Sequence, residues 1–173
     1  MMDGTSPYIS WTVVENGFKG RVYTRAMKLP SLQYPHNFTT TNGTLLLNSS
    51  SINGCTDAWD CRNRDFQDWL KEGNYYYAAY NGANQPDCSD HGGNNKWGLA
   101  VTRSTSPLSG YKPAPSPLVT TKLTDVCGTS YSVLNEVNGS IYMYYSFFEK
   151  FIRNDQDKNV NHVKRSKLEW TPF

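Results

Sequence analysis

The sequence has little of what a membrane helix, a nucleic-acid binder or a nucleotide enzyme needs. No apolar run approaches the roughly 20 residues of a membrane-crossing helix. With 17 Lys and Arg against 15 Asp and Glu, the net charge is only +2. That charge is spread along the chain, which argues against the basic face of a nucleic-acid binder. The one basic cluster, His162 to Lys167, reads as the decoration of an exposed strand. No Gly-rich phosphate loop, nucleophile elbow or H-E-x-x-H occurs. His36, His91 and His162 stand alone, without clustered ligands, so neither a metal nor a cofactor is expected. Helix-period stretches are scarce as well. Asp65 to Gly73 and Phe147 to Asn154 have helical spacing, yet neither carries a cap. The opening MMDGTSPYISW has no charged-then-apolar leader, so any signal peptide is expected to be already removed or never present.

What is present points outside the cell. The 173 residues suffice for one sizeable domain. Cys55, Cys61, Cys88 and Cys127 form an even set without C-x-x-C spacing, which favours disulfides over zinc. The short Cys55–Cys61 loop is the first choice for a local bridge, leaving Cys88–Cys127. Four acceptor sequons begin at Asn37, Asn42, Asn48 and Asn138, as a glycoprotein would have. Together they make a secreted, extracellular protein the expectation.

The rest of the chain reads as short β-segments parted by Gly, Asn, Pro and Ser. SPYISWTVV, GRVYTRAM, TLLLNSSS, YYYAAYN, WGLAVTRS, YSVLNEV, IYMYYSFF and NHVKRSK are the candidates. Within KWGLAVTRS, Leu99 and Val101 alternate with Gly98 and Ala100, giving one bulky face and one small face. Pro107 and Gly110 then end any regular structure. Laying GNYYYAAYNG over GSIYMYYSFF at an offset of 66 also aligns Cys61 with Cys127 and Asp65 with Tyr131. Repeated four-stranded antiparallel units of this size are blades of a β-propeller. The partition expected is one domain, 1–173, with a partial blade over 1–54 and blades over 55–120 and 121–173. Since a closed propeller needs about four blades or more, the ring is expected to be incomplete, part of a longer chain or completed by self-association. A β-sandwich is the competing architecture, because aromatics fall on both faces of YYYAAY.

YYYAAYNG, a polar loop and WGLAVTRSTSPLSGY resemble the second and third blade strands of five-bladed glycoside hydrolases of the family-43 and family-32 kind. NRDFQDWLKEGNYYYAAY resembles their Arg-Asp-Pro segment, an innermost strand. The resemblance implies that Asp65 matches the family's non-nucleophilic, orienting carboxylate, although Phe66 stands where the motif has Pro. It implies a nucleophile before residue 1 and an acid at the start of the next inner strand, where this chain has Tyr131. Arg64, Trp59 and Tyr131 are then the expected ligand-binding neighbours of a catalytic Asp65, and carbohydrate the expected partner. With one of three acidic positions visible, catalysis stays open. The competing readings are a carbohydrate-binding propeller without catalysis and a structural protein that assembles through its blade edges. The bland reading of Asp57, Asp60, Arg62, Arg64 and Asp65 is a solvated charged loop with weak ion pairs.

Overall fold

The computed structural model describes residues 1–15, 22–32, 43–49, 58–84, 97–120, 131–151 and 158–170. Among them every regular element is a strand. In chain order these are β1 (Met2–Asp3), β2 (Ser6–Val14), β3 (Val22–Lys28), β4 (Thr44–Leu47), β5 (Asn63–Glu72) and β6 (Tyr75–Ala83). They continue as β7 (Trp97–Ser104), β8 (Val119–Thr120), β9 (Ser132–Val137), β10 (Ser140–Phe151) and β11 (Lys158–Lys167). Both stretches with helical spacing are extended, Asp65 to Gly73 largely in β5 and Phe147 to Phe151 in β10. Neither has a cap to nucleate a helix, and each pairs with an aromatic strand or lies within one.

An eight-stranded sheet and a three-stranded one result, and the larger divides at a single-pair joint into two sheet units. β1 to β4 form one antiparallel meander and β5 to β8 a second, touching through a single parallel pair at Val22 and Asn63. The third is β9, β10 and β11, also antiparallel. In each, the first two strands meet at a two-residue turn: Gly4-Thr5, Gly73-Asn74 and Asn138-Gly139. Gly4, Gly73, Asn138 and Gly139 have φ of 56°, 57°, 53° and 74°, the left-handed region that Gly and Asn tolerate.

Period-two alternation sends the second sheet's side chains into two cores. Tyr76, Ala78 and Tyr80 face the first sheet, joined by Phe66, Trp69, Ala26 and Leu47. Tyr77, Ala79, Leu99 and Val101 face the third sheet, meeting Leu134, Ile141 and Met143. Both faces of the middle sheet are therefore covered, as in stacked blades rather than a two-layer sandwich. The sheets do not close into a ring. This is an all-β, incomplete propeller.

The segment after β7 folds back over the small face of that strand. Tyr111 and Ala114 enter the core between the first two sheets. Thr102 Oγ1 donates to the Lys112 carbonyl at 2.6 Å, and a Cβ at Gly98 would meet the Val119 carbonyl at 2.5 Å. The small side chains are what let this segment lie so close.

Candidate functional site

The candidate site is built where β5 begins. Trp59 and Asp60 approach it, and Thr24 of β3 fastens it: Thr24 Oγ1 accepts from the Phe66 N–H at 2.8 Å and donates to the Arg64 carbonyl at 3.1 Å. The described part of the charged run is buried or half-buried. Asp60 is 0% exposed and Arg62 2%. Asp60 accepts from Arg64 Nη2 at 2.9 Å and from the Tyr80 hydroxyl at 2.7 Å. Burial, more than the nearby Asp60 charge, raises the Tyr80 pKa well above the ordinary tyrosine value. Tyr80 therefore stays a neutral donor, and its oxygen accepts from the Ala114 N–H at 2.9 Å. Arg64 also donates through Nη1 to the Asn48 carbonyl, just past β4. Its guanidinium thus tethers the first sheet to Asp60, and it makes no ion pair with Asp65.

Trp59 departs from its expected place as well. It is 5% exposed, stacked on Tyr80 at 5.7 Å with its indole N–H donated to the Ala114 carbonyl at 2.9 Å. Gly82 makes room for the ring, since a Cβ there would lie 2.5 Å from it. An indole enclosed on these sides supports the wall of the site and offers no stacking face to a sugar.

Asp65 lies nearer the surface than Asp60. It is half-buried, accepts a hydrogen bond from Thr12 Oγ1 of β2, and accepts another from Gln67 Nε2 at 2.7 Å. Burial raises its pKa above the usual carboxylate value, against the lowering effect of those two donors. The Gln67 donor comes from a β-bulge between Phe66 and Asp68. The same bulge turns Asp68 toward the third sheet, where its Oδ2 accepts from the Leu134 N–H at 2.6 Å.

The register explains how Tyr131 corresponds to Asp65. Turn to turn, the two hairpins are offset by 65 residues, Gly73 to Asn138, but the extra residue Gln67 makes the offset 66 at the strand starts. Asp65 lies opposite Asn81, and the Tyr131 carbonyl accepts from the Ser146 N–H at 3.0 Å, the matching place in the third sheet. Tyr131 is 71% exposed. Among the described residues no hydrogen bond or ring contact joins it to Asp65, Arg64 or Trp59. Glu136, the acidic residue nearest in sequence, is exposed and accepts from the turn's Gly139 N–H.

Thr12 and Gln67, the donors to Asp65, were not expected from sequence, whereas Asp60, which pairs with Arg64, belongs to the charged run read there as a loop with ion pairs. Cys61 is disulfide-bonded, while Cys55, Cys88 and Cys127 lie outside the described residues, as do Asn37, Asn42, His36 and His91. Asn48 and Asn138 are exposed. Among the described residues no three His, Cys, Asp or Glu gather as a metal site would require.

No protein-family model and no curated protein matches this sequence. Solved structures do. One, described as a complex of BT0996 and RGII, shares 10% identity and a TM-score of 0.64 over 94% of this chain. This chain spans 51% of that structure's length. An alpha-L-arabinanase of Cellvibrio cellulosa complexed with arabinohexaose shares 12% identity at a TM-score of 0.45, over 99% of this chain and 72% of its own. An exo-1,5-alpha-L-arabinanase from a bovine ruminal metagenomic library shares 13% at 0.36, over 95% and 71%. The last two superpose too loosely to carry an argument; the first supports the fold.

Proposed function

We propose that this is a secreted, glycosidase-like propeller protein that binds carbohydrate at the mouth of its inner strands, with Asp65 as the central ligand group. The observation that carries this reading is the setting of Asp65. It is a half-buried carboxylate, raised in pKa by burial and oriented by Thr12 and Gln67, with no cation paired to it among the described residues. Such a carboxylate accepts hydroxyl donors with its remaining lone pairs and is held in place before the ligand arrives. The strand resemblance to glycoside hydrolases and the likeness to a structure named as an RGII complex favour a sugar as the donor of those hydroxyls. Four cysteines and four sequons favour the extracellular setting.

Binding is favoured over hydrolysis. Glycoside hydrolysis takes a pair of carboxylates about 5 to 10 Å apart, and the position that corresponds to Asp65 in the third sheet holds Tyr131. Asp65 alone orients a sugar without supplying both acid and base.

The test is a glycan array combined with a panel of aryl-glycosides, run on the protein and on Asp65→Asn. Expected is retention of a glycan by the protein, at least tenfold weaker retention by the variant, and no release of the aryl group by either. Release of the aryl group by the protein but not by the variant would make it a hydrolase. Absence of any retained glycan would overturn the carbohydrate reading.

A further inference from the structure

The core between the second and third sheets ends on an arginine. Along β7, Leu99 and Val101 are buried in that core, and Arg103 is the next side chain on the same face. Its register partner is Tyr77 of β6, also part of that core. A methylene stem continues an apolar row, while the charged end it carries stays near water. Arg103 is half-buried, and its guanidinium carbon lies 4.2 Å from the Tyr75 ring centroid and 4.4 Å from that of Trp170. Tyr77 meets both rings edge to face, at 6.3 Å from Tyr75 and 6.1 Å from Trp170.

Two ring faces hold this charge in place without using its hydrogen bonds. A ring attracts a cation through its quadrupole, whereas the five N–H donors of a guanidinium are satisfied by oxygen acceptors. Among the described residues no hydrogen bond and no ion pair supplies Arg103 with one. Carboxylates are near in the chain. Glu72 lies opposite Tyr75 in register and Glu169 precedes Trp170, yet neither pairs with Arg103. Arg64 shows the alternative, since its donors go to Asp60 and to the Asn48 carbonyl.

We propose that Arg103 anchors a second binding site, between the second and third sheets, whose ligand is a small carboxylate: an acidic sugar or a simple organic acid. The fork of a guanidinium matches the two oxygens of a carboxylate bidentately. Clamping the fork between Tyr75 and Trp170 removes freedom that binding would otherwise cost, so the donors are preorganised. A single cation with Glu72 and Glu169 close in the chain suits a singly charged ligand better than a phosphate dianion. The site stands apart from Asp65. Asp65 lies opposite Asn81 and Arg103 opposite Tyr77, about four residues or roughly 13 Å along β6. It is therefore independent of what Asp65 binds.

The test is a nuclear magnetic resonance titration of the intact protein with glucuronate, acetate, glucose and inorganic phosphate, each to about 50 mM, which covers affinities in the millimolar range. The signals followed are the Arg103 Nε–H, identified as the one missing from Arg103→Lys, and the Trp170 indole N–H, identified by its loss in Trp170→Phe. Because the first belongs to Arg103 itself, a sugar held at Asp65 does not imitate it. Glucuronate is expected to move both signals saturably, and glucose to move neither. Acetate saturating as tightly as glucuronate would identify a simple organic acid as sufficient, and weaker acetate would identify an acidic sugar. Arg103→Lys keeps the stem and the charge but loses the fork, so the Trp170 signal should respond to glucuronate at least about tenfold more weakly. Its far-ultraviolet dichroism should be unchanged. Equal responses to glucose and glucuronate, tighter binding of phosphate than of either carboxylate, an undiminished response in Arg103→Lys, or no response at all would each overturn the proposal.

Discussion

Asp60 and Asp65 stand five positions apart and have opposite relations to stability. Asp60 is enclosed with Arg64 and Tyr80, and removing it strands a guanidinium that is 11% exposed. Breaking a buried pair by deleting one partner costs about 3–5 kcal/mol, so Asp60→Ala is expected to lower the denaturant midpoint by a corresponding amount. Tyr80→Phe keeps the pair and removes one donor, which costs about 1–3 kcal/mol. Equal midpoints for Asp60→Ala and the unaltered protein would show the pair to be dispensable. Asp65 behaves the other way. Its folded pKa is raised, so the folded state holds the proton more tightly than the unfolded chain does. Its contribution is favourable at low pH and is lost as pH climbs from the ordinary carboxylate range through the raised value. Asp65→Asn removes that loss. At pH 7 the variant is expected to unfold at a midpoint equal to or above that of the unaltered protein, while below pH 4 the advantage disappears. A midpoint several degrees lower at pH 7 would make Asp65 a structural group.

The hairpins show what the sequence declares about an element and what it hides. Gly4, Gly73 and Asn138-Gly139 announce turns because those residue types tolerate positive φ, and alternation in YYYAAY and IYMYY assigns side chains to faces. The bulge at Gln67 leaves no such mark. One extra residue in a polar stretch looks like any other, yet it moves the offset from 65 to 66 and turns Asp68 toward Leu134. That is why resemblance singles out Asp65 while nothing in the sequence points to the two donors beside it, Thr12 and Gln67. The burial of Trp59 and Asp60 was hidden for a related reason. It depends on Gly82 and Ala114, about 23 and 55 residues away in sequence. The turn itself is testable. Asn138 has φ of 53°, which a β-branched residue avoids. Asn138→Val is expected to cost about 1–2 kcal/mol and Asn138→Gly close to nothing, read from denaturant midpoints. Equal losses would place the cost in the lost side chain rather than in the backbone.

For the molecule as a whole, the two faces of β10 carry different consequences although their residues are neighbours in sequence. Met143 is fully buried between the second and third sheets, and the adjacent Tyr144 points outward. Cutting Met143 to alanine leaves a cavity where Leu134, Ile141 and Tyr77 meet, which costs about 2–5 kcal/mol. That loss belongs to the single chain, so the midpoint should fall equally at every protein concentration. Tyr144, on the opposite face of β10, is only half-buried, so Tyr144→Ala is expected to cost less than Met143→Ala. Equal losses for Met143→Ala and Tyr144→Ala would mean that the inner face of β10 packs no more tightly than the outer one.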